Sequence, residues 1–436
     1  MKPKKPDMGT LGSSGLRHSG GRIDEEVDRL LRDRTKRFKL YSKMRNSASI
    51  GAVIYSIKAL ARQVKWHCEP AEPTNECLAQ ASFVDECLND MSLTLDDFVS
   101  ETLTFLEFGF AAFEIIYKIR RGPSRDSRLN SHYTDGKIGW RKFAARAQDT
   151  VDRWEINPDD GGIEGLYQID TYANHSRGAE VFIPIDKLLL FRTSTERNNP
   201  EGRSIFRSCV QDWQYLEKIM RIELVGVERD LTGLPTFEVP LELLQGAATG
   251  GPERDFLEQI KEQLSQLRRD EREYAIVPSQ LDAENFPTGY KFSLLTASGS
   301  RQVDTDVIKR WYEMRILKSF MAQFLELGLG QTGSFALAEN TTNMFAVSLG
   351  SYLDVIGDVF SRFAIGRLMT ANGVPRHLWP TLHHSDIESR DLQKLGSYVG
   401  SLAASGVLPV GDEGLTKRLL DFAGLPPPYS DGDEGY

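Results

Sequence analysis

Gly328, Gly330 and Gly333 stand in the spacing G-x-G-x-x-G, with which a backbone turn can approach the pyrophosphate of a dinucleotide. That chemistry requires a strand before the turn and a helix opening behind it. The apolar spacing from Gln302 to Leu327 predicts a long helix instead, so the glycines read as a joint between helices. No G-x-x-x-x-G-K-S/T run occurs, which excludes a P-loop ATPase. His383, His384 and Asp386 suggest metal ligation. Adjacent residues on an extended segment point to opposite faces, however, and no further His follows within helical reach, so a surface turn is expected. Asp159 and Asp160 before Gly161-Gly162 can hold a cation, but Asn-Pro-Asp-Asp-Gly-Gly is equally a turn sequence.

Charge offers a further kind of chemistry. Lys309, Arg310, Arg315 and Lys318 recur along the predicted helix at intervals of one to two turns. They form either a solvated face paired with Asp306 and Glu313 or a set of phosphate contacts. Trp66, Trp140, Trp154 and Trp213 lie on predicted strands and helices, where aromatic residues are core more often than base-stacking platforms. The cysteines Cys68, Cys77, Cys87 and Cys209 lack C-x-x-C spacing and read as reduced thiols. No catalytic set, metal site or cofactor is assigned, so the chain is expected not to be an enzyme. The alternative is a nucleotide-dependent or nucleic-acid-modifying enzyme using the Gly328–Gly333 loop.

The elements that must position these residues follow from periodicity. Residues 1–24 are rich in Gly, Ser and Lys and read as a flexible arm. Helical spacing runs from Ile23 to about Arg62, Val64–Pro70 reads as a strand, and helices are expected at about 75–90 and 96–108, with Gly109 breaking the pattern. Between Phe110 and Phe191 short β-branched and aromatic runs alternate with turn residues: Ala112–Ile119, Thr150–Ile156, Gly165–Tyr172, Ala179–Ile183 and Leu188–Phe191. A long helix is expected from Ser204 to Thr232, closed by Gly233 and Pro235. A compact insertion follows, with strands at Thr236–Val239, Tyr274–Val277 and Tyr290–Leu295 and a charged helix Pro252–Arg269. After the helix 302–327 and the glycine turn, a third long helix covers Phe335–Ala371. Two short helices occupy Ile387–Ala423, and an acidic, proline-rich tail ends the chain.

The 436 residues allow two to four domains with sizeable cores, and 40% hydrophobic content is ordinary for a globular protein. A formal net charge of −9 argues against a strongly basic wrapper of nucleic acid, so any DNA contact must be local. No run approaches the roughly 18 consecutive apolar residues of a membrane helix, and no signal-peptide pattern opens the chain, so no membrane partner is expected.

The order of these elements, an α+β half, two long helices flanking a small α/β insertion, a glycine turn and a third long helix, resembles the bacteriophage portal family, and within it the portals of Mu-like phages. The resemblance is carried by Ile50–Pro70 with its Lys65-Trp66 and Glu69-Pro70 pairs, by Phe105–Gly109 leading to Phe113–Tyr117, by Gly202–Phe206 leading to Trp213 and Lys218, and by Gly328–Leu337. It implies an α+β, portal-like fold with a β-rich wing, long stem helices flanking a small α/β clip, and a helical C-terminal crown. Carried onto this chain, the wing would be 25–203 and 341–385, the stem helices 204–233 and 301–327, the clip 234–300, the tunnel loop 328–340, the crown 386–425 and the tail 426–436. It implies a homo-oligomeric ring, usually of twelve subunits, at one capsid vertex of the virion, assembled in the host cytoplasm. The ring would pass double-stranded DNA without sequence readout during packaging and ejection, and meet terminase, a head-tail adaptor, and major capsid and scaffold proteins. The tunnel loop would touch DNA through Gly330, Gln331, Thr332, Gly333 and Ser334, the stem through Lys309, Arg310, Arg315 and Lys318. Phe256 and Leu264 would make clip contacts.

Overall fold

The computed structural model describes residues 12–169, 180–232, 234–248, 250, 253–266, 275–278, 291–295, 304–322, 335–385 and 387. The tunnel-loop residues Gly330–Ser334 and nearly all of the expected crown lie outside them. The chain divides into two units, residues 1–207 with 320–436 and residues 208–319.

The first unit is built around the strand β1 (Phe110–Ile119), which pairs antiparallel on one side with β2 (Ile138–Arg146) and on the other with β3 (Leu188–Arg192). The sequence pattern does not announce β2, because only Gly139, Trp140 and Phe143 of its nine residues are buried, which hides strict alternation. A register shift at Ile116/Tyr117, which skips Arg141 in the ladder, lets Trp140 and Phe143, three residues apart, both turn inward. On this sheet lies an aromatic cluster: Phe98 stands 4.9 Å from both Phe113 and Phe143, and Phe360 stands 5.3 Å from both Trp140 and Phe143. The tryptophans Trp140, Trp154 and Trp213 are buried and Trp66 is half-buried, in keeping with a core role.

Phe98 comes from the helix Leu95–Thr102, opened by Thr94, whose hydroxyl accepts from the Asp97 N–H; a second short helix, Thr104–Phe108, follows where one helix was expected. The break brings Gly109 to φ 96, where a Cβ would sit 2.4 Å from the Glu201 carbonyl oxygen. Gly202, at φ 55, approaches Gly109 reciprocally, its Cβ position lying 2.3 Å from the Gly109 carbonyl oxygen. Gly109→Ala is therefore expected to cost about 2 kcal/mol, from a strained left-handed backbone and a displaced neighbouring chain. The urea midpoint measures it, and an unmoved midpoint would show that the two segments part easily.

The helix Phe335–Val359 continues through a wider-wound segment, Phe360–Ile365, into Gly366–Ala371, and ends at Asn372 and Gly373 as expected. Phe345, Leu349, Leu353, Ile356 and Phe360 form one buried stripe, and the wide turn carries burial on to Ala364, Ile365, Leu368 and Met369. By length and composition the stretch Asn343–Ala371 suffices to cross a membrane, but its apolar stripe is buried in this core.

Three expectations change. His383 and His384 are not in a turn: Thr381–His384 is a strand paired antiparallel with Trp66–Glu69, and its ladder supplies the backbone partners that a turn would leave to solvent. Part of the expected arm is ordered, since His18–Ser19 and Arg22–Ile23 form a hairpin held by the Trp154 N–H donating to Gly21 O and by Arg22 reaching Asp152 at 2.9 Å. The expected helix 302–327 ends at Ser319. Met321 adopts φ 57, between the buried residues Phe320 and Ala322.

Asp159 and Asp160 lie in the anticipated turn, with the Asp159 N–H bonded to Asn157 Oδ1 and Gly161 at φ 69. The four cysteines are buried free thiols; burial pushes Cys87 up to about 11 and Cys209 up to about 12, which keeps both protonated near neutrality.

Candidate functional site

The second unit is a pair of long helices closed by a small sheet. Its helices are α1 (Val210–Thr232), α2 (Leu241–Ala248), α3 (Glu253–Gln266) and α4 (Thr305–Ser319). The sheet runs in the order Ala275–Pro278, Leu234–Val239, Lys291–Leu295, with the first pair parallel and the second antiparallel. The α2–α3 pair forms the crossover that a parallel strand pair requires. Pro235, expected to close α1 as a stop, lies inside the central strand, opposite Leu294. α1 itself is preceded by a tighter turn at Ile205–Ser208, so the expected 204–233 helix is 23 residues long, about 35 Å.

α1 and α4 run antiparallel. Their order is fixed by three levels of contact: Arg315 to Asp212 at 3.1 Å, Tyr312 against Tyr215 at 5.9 Å between ring centroids, and Lys309 to Glu223 at 2.7 Å. Thr305 adds a hydroxyl donated to Glu223 at 2.8 Å. The hydrogen bond to the Glu223 carboxylate holds the Lys309 ammonium above its ordinary range. Arg310 reaches Asp306 at 2.9 Å, one helical turn away. Three of the four basic candidates thus carry a carboxylate partner: Lys309 and Arg310 meet Asp306 as expected, while Lys309 and Arg315 also reach Glu223 and Asp212 on α1, and none pairs with Glu313 among the described residues. Lys318 is exposed and has no ion pair among the described residues.

Sequence reasoning passed over the apolar set on the same helix. Val307, Trp311 and Met314 recur at i, i+4 and i+7, which puts them on one stripe, turned away from α1; they are 61%, 53% and 45% exposed. Lys318 continues that stripe by one turn. Trp311 packs edge-on to Tyr312, and the Arg315 guanidinium lies 4.7 Å over its ring. α1 carries a stripe of its own: Met220, Leu224 and Val227, at i, i+4 and i+7, are 49%, 69% and 39% exposed. The signal was available as periodicity, but a count of the charges on this helix masks it. One copy of the chain leaves both stripes in solvent, more contiguous apolar surface than scattered single residues would give.

On α3, Leu257 and Ile260 are buried and Phe256 is exposed, so Phe256 lies off the packed face; the side chain of Leu264 lies outside the described residues. Among the described residues no group of three or more His, Cys, Asp or Glu is placed to hold a metal ion. Geometry of this kind, two apolar stripes and a charge-matched helix pair, is suited to binding other helices.

The chain matches the family model described as the portal protein of Mu bacteriophage over residues 38–419. Among solved structures it resembles the neck of an empty gene transfer agent particle computed with C6 symmetry, at 12% identity and TM-score 0.50, with 89% of this chain and 94% of that chain covered. The neck of the native particle computed with C12 symmetry gives the same identity and coverage at TM-score 0.49. An HK97 family phage portal protein from Corynebacterium diphtheriae gives 10% identity and TM-score 0.37, over 79% of this chain and 94% of that one.

Proposed function

This chain belongs to the portal proteins of Mu-like bacteriophages, and from that premise we propose that copies of it close into a ring through the exposed stripes of α1 and α4. The protein is a structural component of the virion at the portal vertex; its reading as a non-enzyme rests on that family role. A closed ring presents each subunit with two neighbours through two different surfaces. Val307, Trp311 and Met314 on one helix and Met220, Leu224 and Val227 on the other supply two such surfaces, and this is the observation that carries the proposal.

Twelve copies are the number that membership of the family favours. The helix pair is then the stem, residues 234–300 the clip that meets terminase and later the head-tail adaptor, and residues 25–203 with 341–385 the wing. Residues 386–425 remain assigned to the crown. The charge pairing on α4 suits a conduit. Each phosphate neutralised by a free cation adds salt-sensitive affinity, and Lys309, Arg310 and Arg315 are largely answered by Glu223, Asp306 and Asp212. Of the four basic candidates on α4, Lys318 is the one without an ion pair among the described residues, and at the end of the stripe it remains the candidate for phosphate contact. Gly330–Ser334 remain the candidate tunnel loop, with the neutral groups of Gln331, Thr332 and Ser334 able to touch phosphate weakly. Phe256 and Leu264 are the proposed clip contacts.

Electron microscopy of the purified full chain, beside sedimentation velocity, tests the ring. Closed rings with a central hole and one dominant large species are expected. A single monomeric species over a hundredfold range of concentration overturns the proposal.

A further inference from the structure

The first unit holds a concentration of charge that the fold uses only in part. From Arg29 to Arg45 the sequence places eight Lys or Arg and a single acidic residue, Asp33, in a protein whose net charge is −9. The stretch forms a short turn of helix, Arg29–Arg32, and a second helix, Arg34–Arg45, split at Asp33, whose carboxylate accepts from the Lys36 N–H and caps the second helix.

The eight cations divide by direction. Leu31, Phe38, Tyr41 and Met44 are buried and fix which side of these helices faces the core. Arg34, Arg37 and Arg45 belong to the packed side: Arg34 and Arg37 both reach Glu201, and Arg34 also donates to the backbone carbonyls of Asp152 and Gln148. Arg45 reaches the fully buried Glu107 at 3.1 Å. These three are structural. Arg29, Arg32, Lys36, Lys39 and Lys43 all stand exposed, at intervals of three and four residues. Lys36 meets Asp33 at 3.7 Å between exposed side chains, a pairing worth little in water, and the Arg32 Nε–H donates to the Glu26 carbonyl at 3.4 Å. Beside them opens a groove of about 940 Å³ whose lining includes Arg22, Arg29, Arg32 and Lys39. Of its four acidic members, Asp152 and Glu201 already hold Arg22, Arg34 and Arg37, Asp33 caps the second helix and meets Lys36, and Asp149 also lines it.

We propose that this outer face binds the phosphate backbone of double-stranded DNA, without sequence readout, through residues other than those of the helix pair α1–α4 and Gly330–Ser334. The fold positions it on an anchored helix and leaves the charge of Arg29, Arg32, Lys36 and Lys39 largely unanswered, whereas on α4 most of the cations are paired. Lys36 to Lys43 span about 10 Å of helix, and a duplex laid alongside presents about six phosphates over that distance. Long, flexible lysines suit a partner that moves, since they act as point charges and demand no fixed geometry. The inference does not depend on ring closure.

The test uses the full chain and a fluorescent 30-base-pair duplex, with binding followed by anisotropy across 50 to 200 mM salt. A variant with Arg29→Gln, Arg32→Gln, Lys36→Gln and Lys39→Gln removes four exposed charges and leaves the buried ion pairs in place. Its affinity is expected to fall at least tenfold in low salt, and the slope of log K against log salt to flatten by about 3.6, at about 0.9 for each phosphate no longer neutralised. A second variant, Arg310→Gln with Lys318→Gln on α4, removes two stem charges and is expected to lower the affinity by less than the fourfold variant does. Unchanged DNA affinity and slope in the fourfold variant overturn the proposal. So does loss of all DNA binding in the α4 variant alone, which would assign the binding to the stem. Poly-glutamate that binds the parent as tightly as the duplex does, and is lost in the fourfold variant while DNA binding persists, would assign the face to an acidic protein instead.

Discussion

Trp311→Asp is expected to abolish ring assembly and leave a folded monomer. Trp311 lies at the middle of the α4 stripe, 53% exposed in a single copy, between Val307 and Met314. Burial of its remaining surface against a neighbour contributes about 2 kcal/mol at each interface, and a carboxylate in its place adds the cost of desolvating a charge. A loss of about 3 kcal/mol weakens each interface by about 100-fold, and ring closure repeats the loss at every one. The Tyr312–Tyr215 packing and the Arg315–Asp212 pair, which hold α4 to α1, are left in place. Sedimentation velocity should show monomer where the parent sediments as ring, with far-ultraviolet circular dichroism unchanged. Trp311→Phe should keep most of the assembly. Rings at parental yield from Trp311→Asp would show that the stripe faces solvent in the assembly, and the stem would then have to close through other surfaces.

The second large effect is expected at Asp90. Its carboxylate meets the Lys118 ammonium at 2.9 Å, with the two side chains 2% and 4% exposed, and it also accepts from Ser131 Oγ at 2.6 Å and from the His132 N–H at 2.9 Å. Lys118 donates in addition to the Asn130 carbonyl at 2.7 Å. Asp90→Asn leaves a buried ammonium without its counter-charge, an arrangement that costs about 3–5 kcal/mol. Joining it with Lys118→Met should recover much of the loss, because the pair is then replaced and not broken. Acid dependence adds a second readout. Burial pushes the Asp90 carboxyl up, but the hydrogen bonds from Ser131, His132 and Lys118 outweigh it and hold the group below the usual carboxylate range. A depressed folded value means the stabilisation is complete above the unfolded value, about 3.9, and fades as pH falls through the folded one. The parent should therefore lose stability on acidification below about pH 4 more steeply than Asp90→Asn. Equal urea midpoints at pH 7 would show that the pair contributes nothing net.

Much of the fold was legible in the sequence, because the signals that set it are local. The β-rich run between Phe110 and Phe191, the insertion strands and the third helix ending at Asn372-Gly373 all follow from short-range periodicity and turn residues. The α+β class and the family resemblance rest on the same order of elements, and the match over residues 38–419 agrees with them. The four basic residues of α4 were found, with Asp306 among their partners, but Asp212 and Glu223 were not. Asp212 and Glu223 lie about 80 to 100 residues earlier in the chain, and only the antiparallel pairing of the two helices brings them into reach.

Tertiary structure also decided where local rules failed. Strand Ile138–Arg146 is made a strand by pairing with Phe110–Ile119, not by its own sparse alternation, and Thr381–His384 is extended because Trp66–Glu69 offers it a ladder. Helix α4 stops at Ser319, where Met321 takes a left-handed φ of 57 between buried Phe320 and Ala322. The exposed stripes of α1 and α4 and the divided cations of Arg29–Arg45 became visible only once each side chain had a side. By itself the sequence determined most of the element types, their order and the family resemblance, all of which depend on residues near one another in the chain. Which charges are answered and which apolar surfaces are left over depends on partners distant in sequence, and only the folded chain selects those.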